Sequence, residues 1–371
     1  MSVERKETMA TTSFTAGEEG SDRAALDQLY QEVAQADLQP LWRLPWLMPG
    51  SPPLSDIPWR WRWKDLRQLG ERAGELVPID RGGDRRVLAL CNPGLGGAPF
   101  ATTTLWGAVQ YLGPGEVAPA HHHTPAALRF VLEGEGVWTL VNGDPVAMGP
   151  GDLVLTPSWT WHEHHNPGSS PMLWFDGLDI PMVRALDAIF YEDGPDRMTN
   201  RAVDPESASE LAFGTGSGLV PLEEPGPAPG QPHSPLLAYR WAQTDRALAR
   251  LLRARGGTQA AIRFTNPATG GEAMPTLRCA MHRLLPGQRT PSTRRAGSSV
   301  WVAFAGAVTA VVAGRRFPLA QGDCLAVPSW APFDLEAHEP ASLFTISDAP
   351  VLEALGLART ETLAHHQEVV D

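Results

Sequence analysis

GEVAPAHHH (115–123) and, further along, GDLVLTPSWTWHEHHN (151–166) hold six of the chain's 11 histidines in two short segments of strand character. Side chains at i and i+2 of a strand share a face, so His121 and His123 point one way and His122 the other. Imidazole is the commonest protein ligand for transition metals. His162, arriving on a second strand, would close a three-nitrogen metal site with His121 and His123. His122 drops out on parity, and His165 is expected to be exposed.

The surroundings of these stretches are β-like. From about residue 99 short apolar runs alternate with Gly, Pro and Asp turns: LWGAVQYLGPGE, LRFVLEGEGVWTLVNGD, DLVLTPSW and MLWFDGLDI. Closely spaced short strands with turn signals predict an all-β-dominated sandwich or barrel, not a βαβ fold. Helical spacing is expected over 23–37, where Leu26, Leu29, Tyr30 and Val33 form one stripe, and over 181–193 and 236–254. Residues 40–64, rich in Trp and Pro, predict an irregular arm wrapped over a neighbouring surface with its indoles buried. EEPGPAPGQPHSP (223–235) reads as a linker.

The β grammar recurs. Asn92-Pro93 with Gly96-Gly97 is matched by Asn266-Pro267 with Gly270-Gly271, and Pro114-Gly115 by Pro286-Gly287. Gly134 matches Gly306, Gly151-Asp152 matches Gly322-Asp323, and Pro157-Ser158-Trp159 matches Pro328-Ser329-Trp330. This is an internal duplication. On the second copy His121 falls on Thr293, His123 on Arg295 and His162 on Phe333. The scaffold is repeated and the ligands are not, so one metal site per chain is expected.

Bulk numbers set the bounds. With 371 residues, 43% hydrophobic and 19% charged, the chain supports two domains with sizeable cores. A formal net charge of −12 argues against nonspecific binding to nucleic acid or anionic membrane. Three scattered cysteines, Cys91, Cys279 and Cys324, form no disulfide framework and fit a reducing cytoplasm. No apolar signal region and no run of about 20 apolar residues is visible. Gly94-Leu95-Gly96-Gly97 lacks the spacing of a nucleotide loop and reads as turn chemistry.

These residues resemble the cupin family and, within it, the gentisate 1,2-dioxygenase group. The first cupin motif reads Gly115-EVAPA-His121-His122-His123 through Gly134. The second reads Gly151-DLVLT-Pro157-Ser158-Trp159-TW-His162-EHH-Asn166. Two positions depart: the glutamate many metal cupins carry falls on Ala127, and a motif glycine is Trp159. Further stretches similar to the group are RGGDRR (81–86), NPGLGG (92–97), LRFVLEGEG (128–136), TPSWTWHEH (156–164) and DGLDIP (176–181).

The resemblance implies a bicupin of two double-stranded β-helix (jelly-roll) domains with flanking helices. The expected layout is a disordered tail (1–22), a helical and Trp/Pro-rich arm (23–98), a metal-binding cupin (99–185) and a helical linker region (186–260). A second cupin without ligands (261–350) and a C-terminal tail (351–371) follow. The resemblance further implies a three-histidine Fe(II) site and a small aromatic carboxylate substrate that chelates iron through carboxylate and 2-hydroxyl. It also implies ring cleavage with both atoms of O2 inserted, maleylpyruvate as the product from gentisate, and a homotetramer. The Ala127 departure leaves a neutral ligand set, which suits a substrate that brings negative charge.

Around the ligands, Arg129 shares their strand parity inside the apolar run LRFVLE and needs an anionic partner. That partner is either a substrate carboxylate or an internal acid. Arg85 matches an arginine position of the family and reaches the same carboxylate or belongs to a solvated cluster. Trp106, Ala108 and Gln110 alternate on one face and either line the substrate or pack the core. His164 either exchanges a proton with a ring hydroxyl or supports a ligand, and Asp176 orients His164 or the substrate. Alternative functions are salicylate or 1-hydroxy-2-naphthoate cleavage, a Zn or Mn cupin isomerase or decarboxylase, and a non-enzymatic bicupin.

Overall fold

The computed structural model describes residues 18–82, 86–194, 203–214, 221, 232–287 and 289–370. Residues 18–53 form one unit: helix Glu18–Gln35 and two short 3-10 turns, Leu41–Arg43 and Pro45–Leu47. Within it the Trp42 indole donates to the Tyr30 hydroxyl (3.3 Å) and the Arg43 guanidinium lies 4.3 Å over the Tyr30 ring. The expected burial of the arm's indoles does not hold here. Trp42 and Trp46 are 69% and 65% exposed, because the 3-10 turns carry them outward. The helix starts at Glu18, inside the stretch read as a tail, and residues 1–17 lie outside the described residues.

The second unit begins at Leu54 and holds four antiparallel sheets, two per cupin. In the first cupin a six-stranded sheet runs, in spatial order, Ala238–Tyr239, Leu153–Thr156, Ala127–Glu133, Met172–Leu178, Trp106–Leu112 and Val87–Ala89. A five-stranded sheet completes it: Tyr191–Asp193, Val117–His123, His162–His165, Trp138–Val141 and Asp144–Ala147. Asn142-Gly143, both at positive φ, make the tight turn between the last two strands. The second cupin repeats the plan. Its six-stranded sheet runs Trp59–Trp61, Cys324–Val327, Ser299–Ala305, Ala341–Ser347, Arg278–Leu284 and Gln259–Arg263. Its five-stranded sheet runs Arg315–Leu319, Val308–Val312, Phe333–Ala337, Thr293–Arg295 and Thr360–Thr362.

The two six-stranded sheets pack face to face. Leu128, Phe130, Leu155 and Phe175 from one meet Val300, Val302, Phe344 and Ile346 from the other in one continuous core. Phe130 stacks on Phe344 with centroids 4.2 Å apart. The alternate residues of the same strands, Val131, Val154 and Trp174, fill the first barrel. Every residue from Ala127 to Leu132 is therefore buried, and the run reads as apolar on both faces.

Each cupin also receives a strap from the segment preceding the other. Strand Trp59–Trp61 pairs with Cys324–Val327 of the second cupin, and Ala238–Tyr239 pairs with Leu153–Val154 of the first. The amide of Trp63 donates to Asp323 (2.7 Å) and that of Trp241 donates to Asp152 (2.9 Å). The glycines before these carboxylates, Gly151 and Gly322, have φ of +83° and +86°, and a Cβ on either would strike Trp241 or Trp63. The duplication thus extends upstream to the Trp arm.

Two expectations are corrected. Residues 181–193 are not one helix: helix Ile180–Ala185 stops before Asp187, whose φ is +53°, and Tyr191–Asp193 is a strand beside the histidine strand. Within 236–254, helix begins only at Trp241, because Ala238–Tyr239 is committed to the sheet edge. Most of the expected linker, 222–231, lies outside the described residues.

Candidate metal centre and active site

Antiparallel pairing of Val117–His123 with His162–His165 sets His121 directly opposite His162. The register shifts between Ala118 and His121, where Pro119 has no N–H to give the ladder. Ring centroids lie 4.3 Å apart for His121 and His162, 5.0 Å for His123 and His162, and 5.7 Å for His121 and His123. One nitrogen from each ring falls within 4.8 Å of the others.

Each ring is oriented by a nearby backbone carbonyl. His121 Nδ1 bonds Pro119 O (3.0 Å), His123 Nδ1 bonds Pro125 O (2.7 Å) and His162 Nδ1 bonds Thr160 O (2.9 Å). A carbonyl only accepts, so each Nδ1 carries the proton and each Nε2 keeps its lone pair. His162 is 1% exposed and its Nε2 is buried with no hydrogen-bond partner among the described residues. A buried acceptor left this way is destabilising unless something binds it. Burial holds the His123 imidazole down at about 4, with His121 and Arg129 adding to it. Burial likewise keeps His162 well below its usual range, helped by Arg129 and the neighbouring histidines. Neutral imidazoles with converging lone pairs fit a divalent transition metal, and among the described residues no carboxylate joins the set.

Beside the histidines the inward face of the sheet carries a cross-strand row, Ala108, Asp176, Arg129 and Val154. Arg129 donates to Thr156 Oγ1 (2.6 Å), and its Nε lies 3.7 Å from Asp176 Oδ1 without a hydrogen bond. Asp176 accepts from the Trp174 indole (3.0 Å). Burial raises Asp176 to about 6 against the pull of Arg129. Burial also lowers Arg129, with Asp176 opposing. Asp176 therefore does not orient His164, which is one of its two expected roles. His164 Nδ1 instead bonds Thr139 Oγ1 (2.8 Å), and burial keeps His164 neutral, well below its usual range.

Trp106 is half-buried, whereas Ala108 and Gln110 are buried on the same strand. Arg85 lies outside the described residues. His122 stacks between Trp159 (3.8 Å) and Trp161 (3.7 Å) and bonds Glu192 (2.9 Å), away from the ligand cluster. His165 is not exposed as expected: it stacks on Trp138 (3.9 Å) and bonds Glu163. Trp159, at the position where the motif has glycine, keeps the glycine-like φ of +60°, as does Trp330 in the second copy. Such a residue costs about 1–3 kcal/mol, here offset by its stack on His122 and by a hydrogen bond that its backbone N–H donates to His123 O (2.8 Å). Thr139, Thr156, Trp174 and Tyr191, whose ring stacks on His121 at 5.7 Å, went unread in the sequence. Only strand pairing brings them to the site.

Pairing in the second cupin sets Thr293 opposite Phe333, the counterparts of His121 and His162. Trp301 and Thr345 stand opposite each other where the first cupin has Arg129 and Asp176.

Comparisons agree with this geometry. The cupin domain model matches residues 108–180. The chain is 49% identical over 356 residues to a gentisate 1,2-dioxygenase of Streptomyces sp, covering 94% of this chain and 98% of that one. It is 35% identical over 348 residues to a 5-aminosalicylate 1,2-dioxygenase of Comamonas sp, covering 91% of each. The crystal structure of the salicylate 1,2-dioxygenase of Pseudoaminobacter salicylatoxidans, with gentisate, superposes with a TM-score of 0.87 at 43% identity, covering 98% of this chain and 99% of that one. With two cupins, one three-histidine centre and relatives of this kind along nearly its whole length, the chain belongs to the gentisate 1,2-dioxygenase family of ring-cleaving bicupin dioxygenases.

Proposed function

We propose that this enzyme is Fe(II)-dependent and cleaves gentisate between its carboxyl-bearing and 2-hydroxyl-bearing carbons, giving maleylpyruvate with both atoms of O2 incorporated. The observation that carries this reading is the neutral ligand set, His121, His123 and His162, next to a buried arginine and, among the described residues, with no carboxylate in the set. His121, His123 and His162 would hold the metal and would leave room at it for a chelating substrate and for O2. Bound Fe(II) supplies the means of joining spin-forbidden O2 to the substrate; the chain supplies position and charge.

Arg129 orients the substrate carboxylate, and Thr156 and Asp176 hold its guanidinium in place. Trp106, Ala108 and Gln110 form the wall against the ring. His164, held neutral by burial and fixed at Nδ1 by Thr139, exchanges a proton with a ring hydroxyl. The reading includes a homotetramer in the cytoplasm; among the described residues no helix is long and apolar enough to cross a membrane. Salicylate and 1-hydroxy-2-naphthoate share the carboxylate and ortho-hydroxyl, and the 43% identity to a salicylate 1,2-dioxygenase favours salicylate as the second reading.

Anaerobic reconstitution with Fe(II), followed by O2 uptake with gentisate, salicylate and 1-hydroxy-2-naphthoate, tests the substrate. Uptake fastest with gentisate supports the proposal. Uptake with salicylate and none with gentisate replaces it with the second reading.

A further inference from the structure

The second cupin has lost the metal ligands but not its interior. A cavity of about 540 Å³ opens inside its barrel, within the size range of small-molecule sites. Its walls include Thr293, Arg295 and Phe333, the positions that carry His121, His123 and His162 in the first cupin. A scaffold kept only for packing would close this space with larger side chains, since interiors are packed to crystal-like density.

The lining has a definite chemistry. Trp301 lies against Phe333 (4.7 Å between centroids) and His282 (4.6 Å), which gives one aromatic wall. Most of the charged groups around the cavity are spoken for. Arg278 pairs with Glu272 and Glu353, Arg283 with Asp245, and the Asp348 carboxylate accepts from Ser298 and Thr104. Arg295 and Arg255 are the exceptions: among the described residues no carboxylate pairs with either, both are exposed, and Arg295 stands at the rim in the position of His123. An uncommitted guanidinium beside an aromatic wall suits a planar anion. With Thr293, Arg295 and Phe333 where the ligands would be, such an anion is bound without being cleaved.

We infer that the second cupin is a separate, non-catalytic binding site for a small aromatic carboxylate, held by Arg295 at the rim and by Trp301, Phe333 and His282 within. The ligand class is read from this cavity alone and stands whichever substrate the first cupin cleaves.

The test is ¹⁹F NMR of 4-fluorobenzoate with the full-length, Fe(II)-loaded enzyme. Paramagnetic iron broadens a probe bound in the first cupin and leaves one in the second comparatively sharp. The expected result is a sharp bound resonance, saturable at one equivalent per chain. Arg295→Ala should weaken that site at least tenfold, and Ala280→Met, which fills the cavity from an inward-facing position, should abolish it. Turnover in both variants should remain within twofold of the parent, since neither residue lies in the first cupin. Absence of a sharp bound resonance in the parent enzyme would overturn the proposal. So would a resonance that survives both substitutions.

Discussion

Arg129 and Asp176 face each other across two neighbouring antiparallel strands, Nε to Oδ1 3.7 Å, each 4% exposed. At that distance they form an ion pair without a hydrogen bond, and among the described residues Arg129 Nε has no other partner. The guanidinium is held by Thr156 and, among the described residues, left incompletely satisfied beside the three histidines. Burial raises its partner Asp176 to about 6, so the pair offsets only part of the desolvation of the guanidinium.

Replacing Arg129 by Leu is expected to leave iron content unchanged while lowering kcat/KM about 100-fold or more, a loss of about 3 kcal/mol in transition-state binding. Steady-state kinetics beside metal analysis checks this. Unchanged kinetics would return Arg129 to a purely structural role. Asp176→Ala strands the buried guanidinium and should lower stability by about 3 kcal/mol in denaturant unfolding.

The Nδ1 bonds of His121, His123 and His162 to backbone carbonyls aim a set of lone pairs at one point. His162→Ala should therefore release iron while the fold, followed by far-UV circular dichroism, survives. Stoichiometric iron in that variant would show that the ligand set is wrong.

The metal-free protein should lose stability as the pH falls from about 6.5 toward 4. His123 titrates at about 4 when folded and near 6.5 when unfolded, so the unfolded chain takes up the proton first and gains as pH drops. This group contributes up to about 3 kcal/mol over that window. Thermal unfolding of the metal-free protein and of His123→Gln at several pH values checks it: the variant should lack this part of the slope.

The reciprocal straps are structural. Asp323→Ala removes the acceptor for the Trp63 and Ala320 amides, and Asp152→Ala removes the partner of Trp241 N and Arg240. Each should lower stability by about 1–3 kcal/mol in urea unfolding. A silent substitution would mean that the Trp arms are held by packing alone.

The histidine set was legible because strand parity and motif spacing both act over a few residues. The duplication was legible because its turns need Gly, Asn and Pro at fixed places. Arg129 stood out as a charge inside LRFVLE, a run whose burial on both faces comes from packing between the two cupins. Its partner Thr156 and the Thr139 contact to His164 were not legible, because they depend on which strands pair. The strand Tyr191–Asp193 was misread as helix for a similar reason: the edge that it completes is the histidine strand itself. Trp42 and Trp46 were expected inside on hydrophobicity alone, and a large apolar side chain in a short 3-10 turn need not be buried.

The most direct test of the central claim is turnover of gentisate under ¹⁸O2 by the Fe(II)-reconstituted enzyme, with the ring-cleaved product analysed by mass spectrometry. The account predicts one O2 consumed per gentisate and both labelled atoms in the product, with no activity in His162→Ala. Fully reconstituted protein that consumes no O2 with gentisate, salicylate or 1-hydroxy-2-naphthoate, or a product trapped by immediate reduction of its ketone that still carries only one labelled atom, would contradict it.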